Sequence, residues 1–347
     1  LPSRGNFVDI HLNARWQQNG LTIAGGNGRG NGLNQLCDPL GLYVDKGQTV
    51  YIADSSNHRI VEWKSGATIG QIVAGGNGPG SAAYQLSGPR DVIVDKNTDS
   101  FIISDYSNKR VVRWPLQNGT NTETIISNIH CVGLTMDENG SLYIVDNEND
   151  EVKRYRGGES QGTVVAGGNG NGNRFDQFSD PQYIFVDRDH SVYVSDLGNH
   201  RVMKWLEGAK EGVVVAGGHG KGNGLMQLSF PRGVVVDQLG TVYVADAGND
   251  RIIRWPKGAT QGCVVIGGKA KEDNQTNSMD LSSIYVMQRN PQNMEYEKQT
   301  YSKLVNIFTD EQTLIERLRH DIILTYRQDL PITISCLDEI KTEQSLM

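Results

Sequence analysis

Four times the chain sets an aspartate, an asparagine three residues on and an arginine two beyond that: Asp54, Asn57, Arg59; Asp105, Asn108, Arg110; Asp196, Asn199, Arg201; and Asp246, Asn249, Arg251. A carboxylate and a guanidinium this close in sequence can form a charge-assisted pair that fixes a turn, or they can converge on a ligand of opposite charge. In a turn the carboxylate also accepts backbone N–H groups, and asparagine tolerates the left-handed conformation. Because the set recurs at one place in every good copy, the sequence predicts structural pairing within a unit or with its neighbour, with ligand binding as the alternative.

Other residue clusters suggest chemistry more weakly. The glycine-rich runs from Gly25, Gly75, Gly167 and Gly217 resemble phosphate cradles, but no helix pattern follows them to hold the phosphate. They read instead as crossings between units, where glycine supplies positive φ. The acidic run DNENDE from Asp146 lacks the ligand spacing and glycine of an EF-hand, so a solvated acidic turn is expected. Four cysteines, Cys37, Cys131, Cys263 and Cys336, form no C-x-x-C pair, which excludes a zinc ribbon or RING within this sequence and leaves a disulfide framework without support. No G-x-S-x-G nucleophile elbow occurs, and the seven histidines are dispersed. No catalytic residue, metal ligand or cofactor is assigned.

The elements that must position these side chains follow from a repeat. Aspartates at Asp45, Asp95, Asp137, Asp187 and Asp237 mark five copies spaced about 50, 42, 50 and 50 residues apart. Each copy ends its second half with an aromatic residue, Trp63, Trp114, Tyr155, Trp205 or Trp255. Within a copy, four short runs alternate apolar and polar residues between turn-formers, which is strand periodicity uninterrupted by any helical pattern. Four antiparallel strands per repeat of this length predict a β-propeller, an all-β fold.

The recurring GL-x-VD, then VY-[IV]-[AS]-D, then N-x-R-[IV] and a tryptophan resembles the NHL repeat, with Asn57, His58, Arg59 and Asn199, His200, Arg201 matching closely over about residues 12–268. The resemblance implies a propeller and leaves the activity open. It is consistent with a docking surface for protein or peptide, the substrate-recognition part of a ubiquitin ligase whose RING lies outside this sequence, an RNA-binding propeller, or a metal-dependent peptidyl-hydroxyglycine lyase-like enzyme. His58 and His200 sit in equivalent turns of non-neighbouring units, which argues against the lyase. A non-enzymatic scaffold for a protein or peptide partner is the leading expectation.

Three regions are expected: a propeller over 1–268, a degenerate blade or linker over 269–300 and a partial α/β segment over 301–347. The segment from Ala14 aligns with the end of a unit, so five good blades plus an incomplete or degenerate sixth are predicted. After Lys269 glycine nearly vanishes. Leu314, Ile315, Leu318, Ile322 and Ile323 then share one helical face. This C-terminal segment resembles part of a module found in multidomain invertebrate proteins.

Charge constrains the partners. The net charge is −7, and residues before Lys269 carry 24 Lys and Arg against 27 Asp and Glu. Nucleic-acid binding needs a basic field, so RNA is disfavoured. No apolar run approaches a membrane span of about 20 residues, and no signal peptide is visible, which favours the cytoplasm over the exterior. Both ends read as incomplete, leaving an upstream signal or anchor open.

Where the scaffold's needs are equal in every unit, a position that varies is informative. The residue after the proline that opens each unit is Leu40, Arg90, Gln182 and Arg232, with Val132 in the short copy. Arg90, Gln182 and Arg232 are therefore expected to converge near the mouth of the central channel, where they can read a carboxylate or backbone carbonyls.

Overall fold

The computed structural model describes residues 22–116, 122–157 and 159–268, and the backbone of the strands Tyr285–Gln288 and Ser302–Val305. Five four-stranded antiparallel sheets follow one another along the chain, each with its strands in sequence order. The first blade comprises Pro39–Val44, Val50–Asp54, Arg59–Trp63 and Gln71–Gly75. The second comprises Pro89–Asp95, Ser100–Asp105, Arg110–Pro115 and Glu123–Ser127. The third runs through Cys131–Met136, Leu142–Asp146, Glu151–Tyr155 and Thr163–Gly167. The fourth is Pro181–Val186, Val192–Asp196, Arg201–Trp205 and Val213–Gly217, and the fifth is Pro231–Val236, Val242–Asp246, Arg251–Trp255 and Cys263–Gly267.

Each blade's first strand lies against the first strand of the next, from Pro39–Val44 through to Pro231–Val236, which is the radial packing of a propeller. A two-stranded antiparallel ribbon, Tyr285–Gln288 with Ser302–Val305, places its first strand against Pro39–Val44. Residues 22–24, part of the segment expected to supply outer strands, belong to no strand. The rest of that segment, the helix around Leu314–Ile323 and the strand after Pro331 lie outside the described residues. Among the described residues no helix is long and apolar enough to cross a membrane.

The core is a series of layers between blades. Alternation along Val50–Asp54 sends Val50 and Ile52 into a cluster with Leu36, Leu42, Val61 and Trp63, while Tyr51 and Ala53 face Val92, Phe101 and Ile103 of the second blade. Both faces of a blade are therefore covered, which is why the second strands read as VYIAD or VYVAD with scarcely a polar interruption.

Strand direction sorts the loops onto two faces. The turns between second and third strands, and the points where first strands begin, share what we call the leading face. The turns from first to second and from third to fourth strand share the trailing face.

Candidate functional site

On the leading face the second and third strands of each blade pair in one register: Asp54 opposite Arg59, Asp196 opposite Arg201, Asp246 opposite Arg251. The rung brings Arg59 Nε to 2.7 Å from Asp54 Oδ2, and the equivalent distances are 2.6 Å for Arg110–Asp105, 2.7 Å for Arg201–Asp196 and 2.6 Å for Arg251–Asp246. Every arginine meets the aspartate of its own blade. The guanidinium then reaches the glycine-rich crossing that precedes the blade, where Arg59 donates to the carbonyls of Asn31 (2.8 Å), Gly32 (2.9 Å) and Gln35 (3.0 Å). Asp54 Oδ1 accepts Cys37 N–H at 2.6 Å, and Asn57 Nδ2 donates to both Asp54 Oδ2 and Gly30 O. One aspartate, asparagine and arginine thus staple the crossing to the blade, with the carboxylate and the guanidinium engaged internally. Burial pushes the carboxyls of Asp54, Asp196 and Asp246 above the usual range, against the pull of these donors.

The crossings themselves are built alike. Asn77 Nδ2 donates to Tyr84 O (3.1 Å), Gln85 Nε2 donates to Asn77 O (3.2 Å), and Leu86 is fully buried beneath them. Each crossing runs from an outer strand to the next inner strand and contains no helix, so it has none of the geometry of a phosphate cradle.

The left-handed residue is not the asparagine expected from the sequence. Asn57 closes a short 3-10 turn over Ser55–Asn57, and His58 takes φ 54°. Asn57 is drawn into that turn because its amide bonds back to Asp54, so the reversal falls one residue later, at His58, Lys109, Asp150, His200 and Asp250. The side chain at this position reaches the following blade. Gly88 N–H donates to His58 Nδ1 (3.0 Å), Asp180 N–H to Asp150 Oδ1 (3.0 Å) and Phe230 N–H to His200 Nδ1 (3.2 Å). The sequence carried a signal for this, since the position after the asparagine is an acceptor in four of the five units.

The third blade lacks the glycine-rich crossing, and its staple is altered accordingly. Glu151 stands opposite Asp146, and Lys153 supplies the cation to both, 2.6 Å from Glu151 Oε1 and 3.7 Å from Asp146 Oδ2. Asp146 Oδ1, which elsewhere accepts a crossing N–H, is buried without a hydrogen bond among the described residues.

Leu40, Arg90, Val132, Gln182 and Arg232 each occupy the second residue of a first strand, at its leading-face end. The Arg90 guanidinium stacks 4.2 Å above the Tyr106 ring. Gln182 is buried and donates to Asp180 Oδ1 at 2.6 Å, an oxygen that also accepts from Asn147 Nδ2 at 3.3 Å. Arg232 is partly buried and has no side-chain hydrogen bond or ion pair among the described residues. Beside Arg90, the edge of Tyr106 meets His130, whose Nε2 lies 3.3 Å from Glu148 Oε2 without hydrogen-bond geometry. Tyr106, His130 and Asp180 belong to this surface and were not singled out from sequence, because each lies in a turn whose neighbours across the blade boundary only the fold supplies.

On the trailing face an open cleft lies at the seam of the third and fourth blades, lined in part by Asp137, Arg154, Arg156 and His190.

The NHL repeat family profile matches residues 36–63 and 228–255. No curated protein matches the chain. Among solved structures, an auxiliary nutrient binding protein from Bacteroides thetaiotaomicron is 15% identical with a TM-score of 0.56, covering 76% of this chain and 70% of its own. A chain of a nidogen/laminin complex is 16% identical with a TM-score of 0.52, covering 65% of this chain and 78% of its own. Virginiamycin B lyase from Staphylococcus aureus is 11% identical with a TM-score of 0.47, covering 73% of this chain and 76% of its own. At such identities the likeness is one of fold. The profile matches fall on the first and fifth of five blades that share one hydrogen-bonded frame, so the chain is a five-bladed β-propeller with NHL repeats at those two positions.

Proposed function

We propose that the propeller is a non-enzymatic scaffold that holds a protein or peptide partner on its leading face, with Arg90, Gln182 and Arg232 as contacts for carboxylates or backbone carbonyls. One observation carries this reading. The repeated aspartates, asparagines and arginines are engaged in stapling the crossings, whereas the second residue of each first strand differs from blade to blade and serves no common internal bond. A guanidinium already stacked on Tyr106 loses little further freedom on binding, which favours recognition there.

Selection of peptides from a displayed library against the full chain, followed by calorimetry, tests the reading. The selected peptide is expected to carry carboxylates and to bind the Arg90→Glu/Arg232→Glu variant about 100-fold more weakly, since each reversed contact removes roughly 1.4 kcal/mol or more. Lys210→Glu, an exposed change on the trailing face, serves as the control. Equal loss in the control, or unchanged affinity in the double variant, refutes the assignment of the working face.

A further inference from the structure

The cleft on the trailing face encloses about 210 Å³. Its charges are unevenly engaged. Asp137 Oδ1 accepts the N–H groups of Asn139 (3.0 Å) and Ser141 (2.8 Å), while Oδ2 accepts Tyr143 OH (3.3 Å). Glu207 accepts Arg154 Nη1 across the seam at 3.0 Å. Both carboxylates are therefore answered from within the fold. The Arg156 guanidinium is exposed at the rim and has no side-chain partner among the described residues.

His190 marks the cleft as particular to this seam. It occupies the left-handed position of the turn between first and second strands, where the other units carry Gln48, Asp99, Gly140 and Gly240. From there its ring crosses to the preceding blade. Nδ1 lies 3.3 Å from Asp137 Oδ2 without hydrogen-bond geometry, and Nε2 lies 3.5 Å from Asn139 Nδ2. A bulky side chain at φ 55° is an uncommon choice for a turn that glycine satisfies, and it turns an imidazole toward a polar recess.

With Glu207 paired to Arg154 and the Asp137 oxygens taken up by N–H and O–H donors, what remains for a ligand is a guanidinium, a carboxamide and an imidazole. We propose that the seam between the third and fourth blades binds an oxyanion, the carboxylate or phosphate end of a small ligand, with Arg156 supplying the charge and Asn139 and His190 orienting it. The recess is smaller than the roughly 300–1,000 Å³ of drug-sized pockets, so it takes the anionic end and leaves the body of the ligand at the surface. The inference is independent of the leading-face reading, since the two sites lie on opposite faces and share no residue.

The test is a titration of the full chain with inorganic phosphate and, separately, with acetate, at ionic strength held constant with sodium chloride and read by calorimetry. Saturable binding of at least one anion is expected, about 10-fold weaker in Arg156→Gln as a charged hydrogen bond is lost. Thermal stability of that variant should equal that of the parent, because Arg156 is exposed. Preference for phosphate assigns a phosphoryl end and preference for acetate a carboxylate end. No saturation by either anion at about 20 mM, or equal binding by Arg156→Gln, overturns the proposal.

Discussion

Replacing Arg201 by methionine removes the guanidinium from a fork that holds Asp196 Oδ2 at 2.7 Å and the carbonyls of Asn173, Arg174 and Gln177 at 2.9, 2.9 and 3.0 Å. Its side chain is 6% exposed and its partner carboxylate 0%. Losing one member of so buried a pair leaves the other charge uncompensated, which costs about 3–5 kcal/mol. Arg110 makes the same pair but is 16% exposed, and it reaches two crossing carbonyls, Ser81 at 3.0 Å and Gln85 at 3.3 Å. One fewer carbonyl bond and readier hydration reduce the cost of Arg110→Met to about 2–3 kcal/mol. Arg201→Lys keeps the charge without the fork and should fall between the parent and Arg201→Met. Urea unfolding followed by tryptophan fluorescence gives the three values, and amide exchange at Ser179, whose N–H donates to Asp196 Oδ1, reports whether the crossing loosens first. Equal or greater loss for Arg110→Met, or full stability in Arg201→Lys, refutes the view that carbonyl collection by the fork sets the magnitude.

Two further outcomes follow from close contacts between blades. A Cβ at position 133 meets Gln182 O at 2.5 Å and Tyr183 Cα at 3.2 Å, so Gly133→Ala must separate two first strands; a loss of about 1–3 kcal/mol in urea, with unchanged dependence on denaturant, is expected. Burial, then the charge of Lys221, lowers the His200 pKa from 6.5, with Asp246 opposing. The unfolded chain therefore takes up the proton first as pH falls. The stability tied to neutral His200 is complete above pH 6.5 and declines from there down to the lower native pKa. His200→Asn, which keeps an acceptor for Phe230 N–H in a residue that tolerates the left-handed turn, should flatten that slope; an unaltered slope between about pH 6.5 and 5 contradicts the assignment.

Much of the fold was legible in the sequence because a repeat displays its own constraints. The pattern from Val50 to Asp54 recurs from Val192 and Val242, and apart from the half-buried Tyr51 every residue of these three strands is buried. The hairpin spacing also brings Asp54 opposite Arg59, a short-range matter. What spacing does not convey is the carbonyl set of the crossing, 24 to 28 residues upstream of Arg59, or the reach of His58 to Gly88, 30 residues ahead. Those contacts depend on the angle between successive blades. The left-handed residue was displaced by one for a local reason, since propensity favours Asn57 but its amide is held by Asp54. The cleft at Arg156 and His190 gave no signal of its own, because its lining comes from separate turns of two successive blades that only the packing of those blades brings together.

The forward reach of His58, Asp150 and His200 gives the ring a polarity that its near-symmetry conceals. The second, fourth and fifth blades each complete a bond that the predecessor began, so extra sequence is accommodated unequally around the molecule. An insertion at Gly258, which has φ 80° and open space about it, interrupts none of these forward bonds. An insertion between Gly217 and Pro231 lengthens the tether joining His200 to Phe230 and weakens the grip of one sector on the next. New domains grafted onto this frame therefore belong on the trailing side, where the order of assembly is left intact.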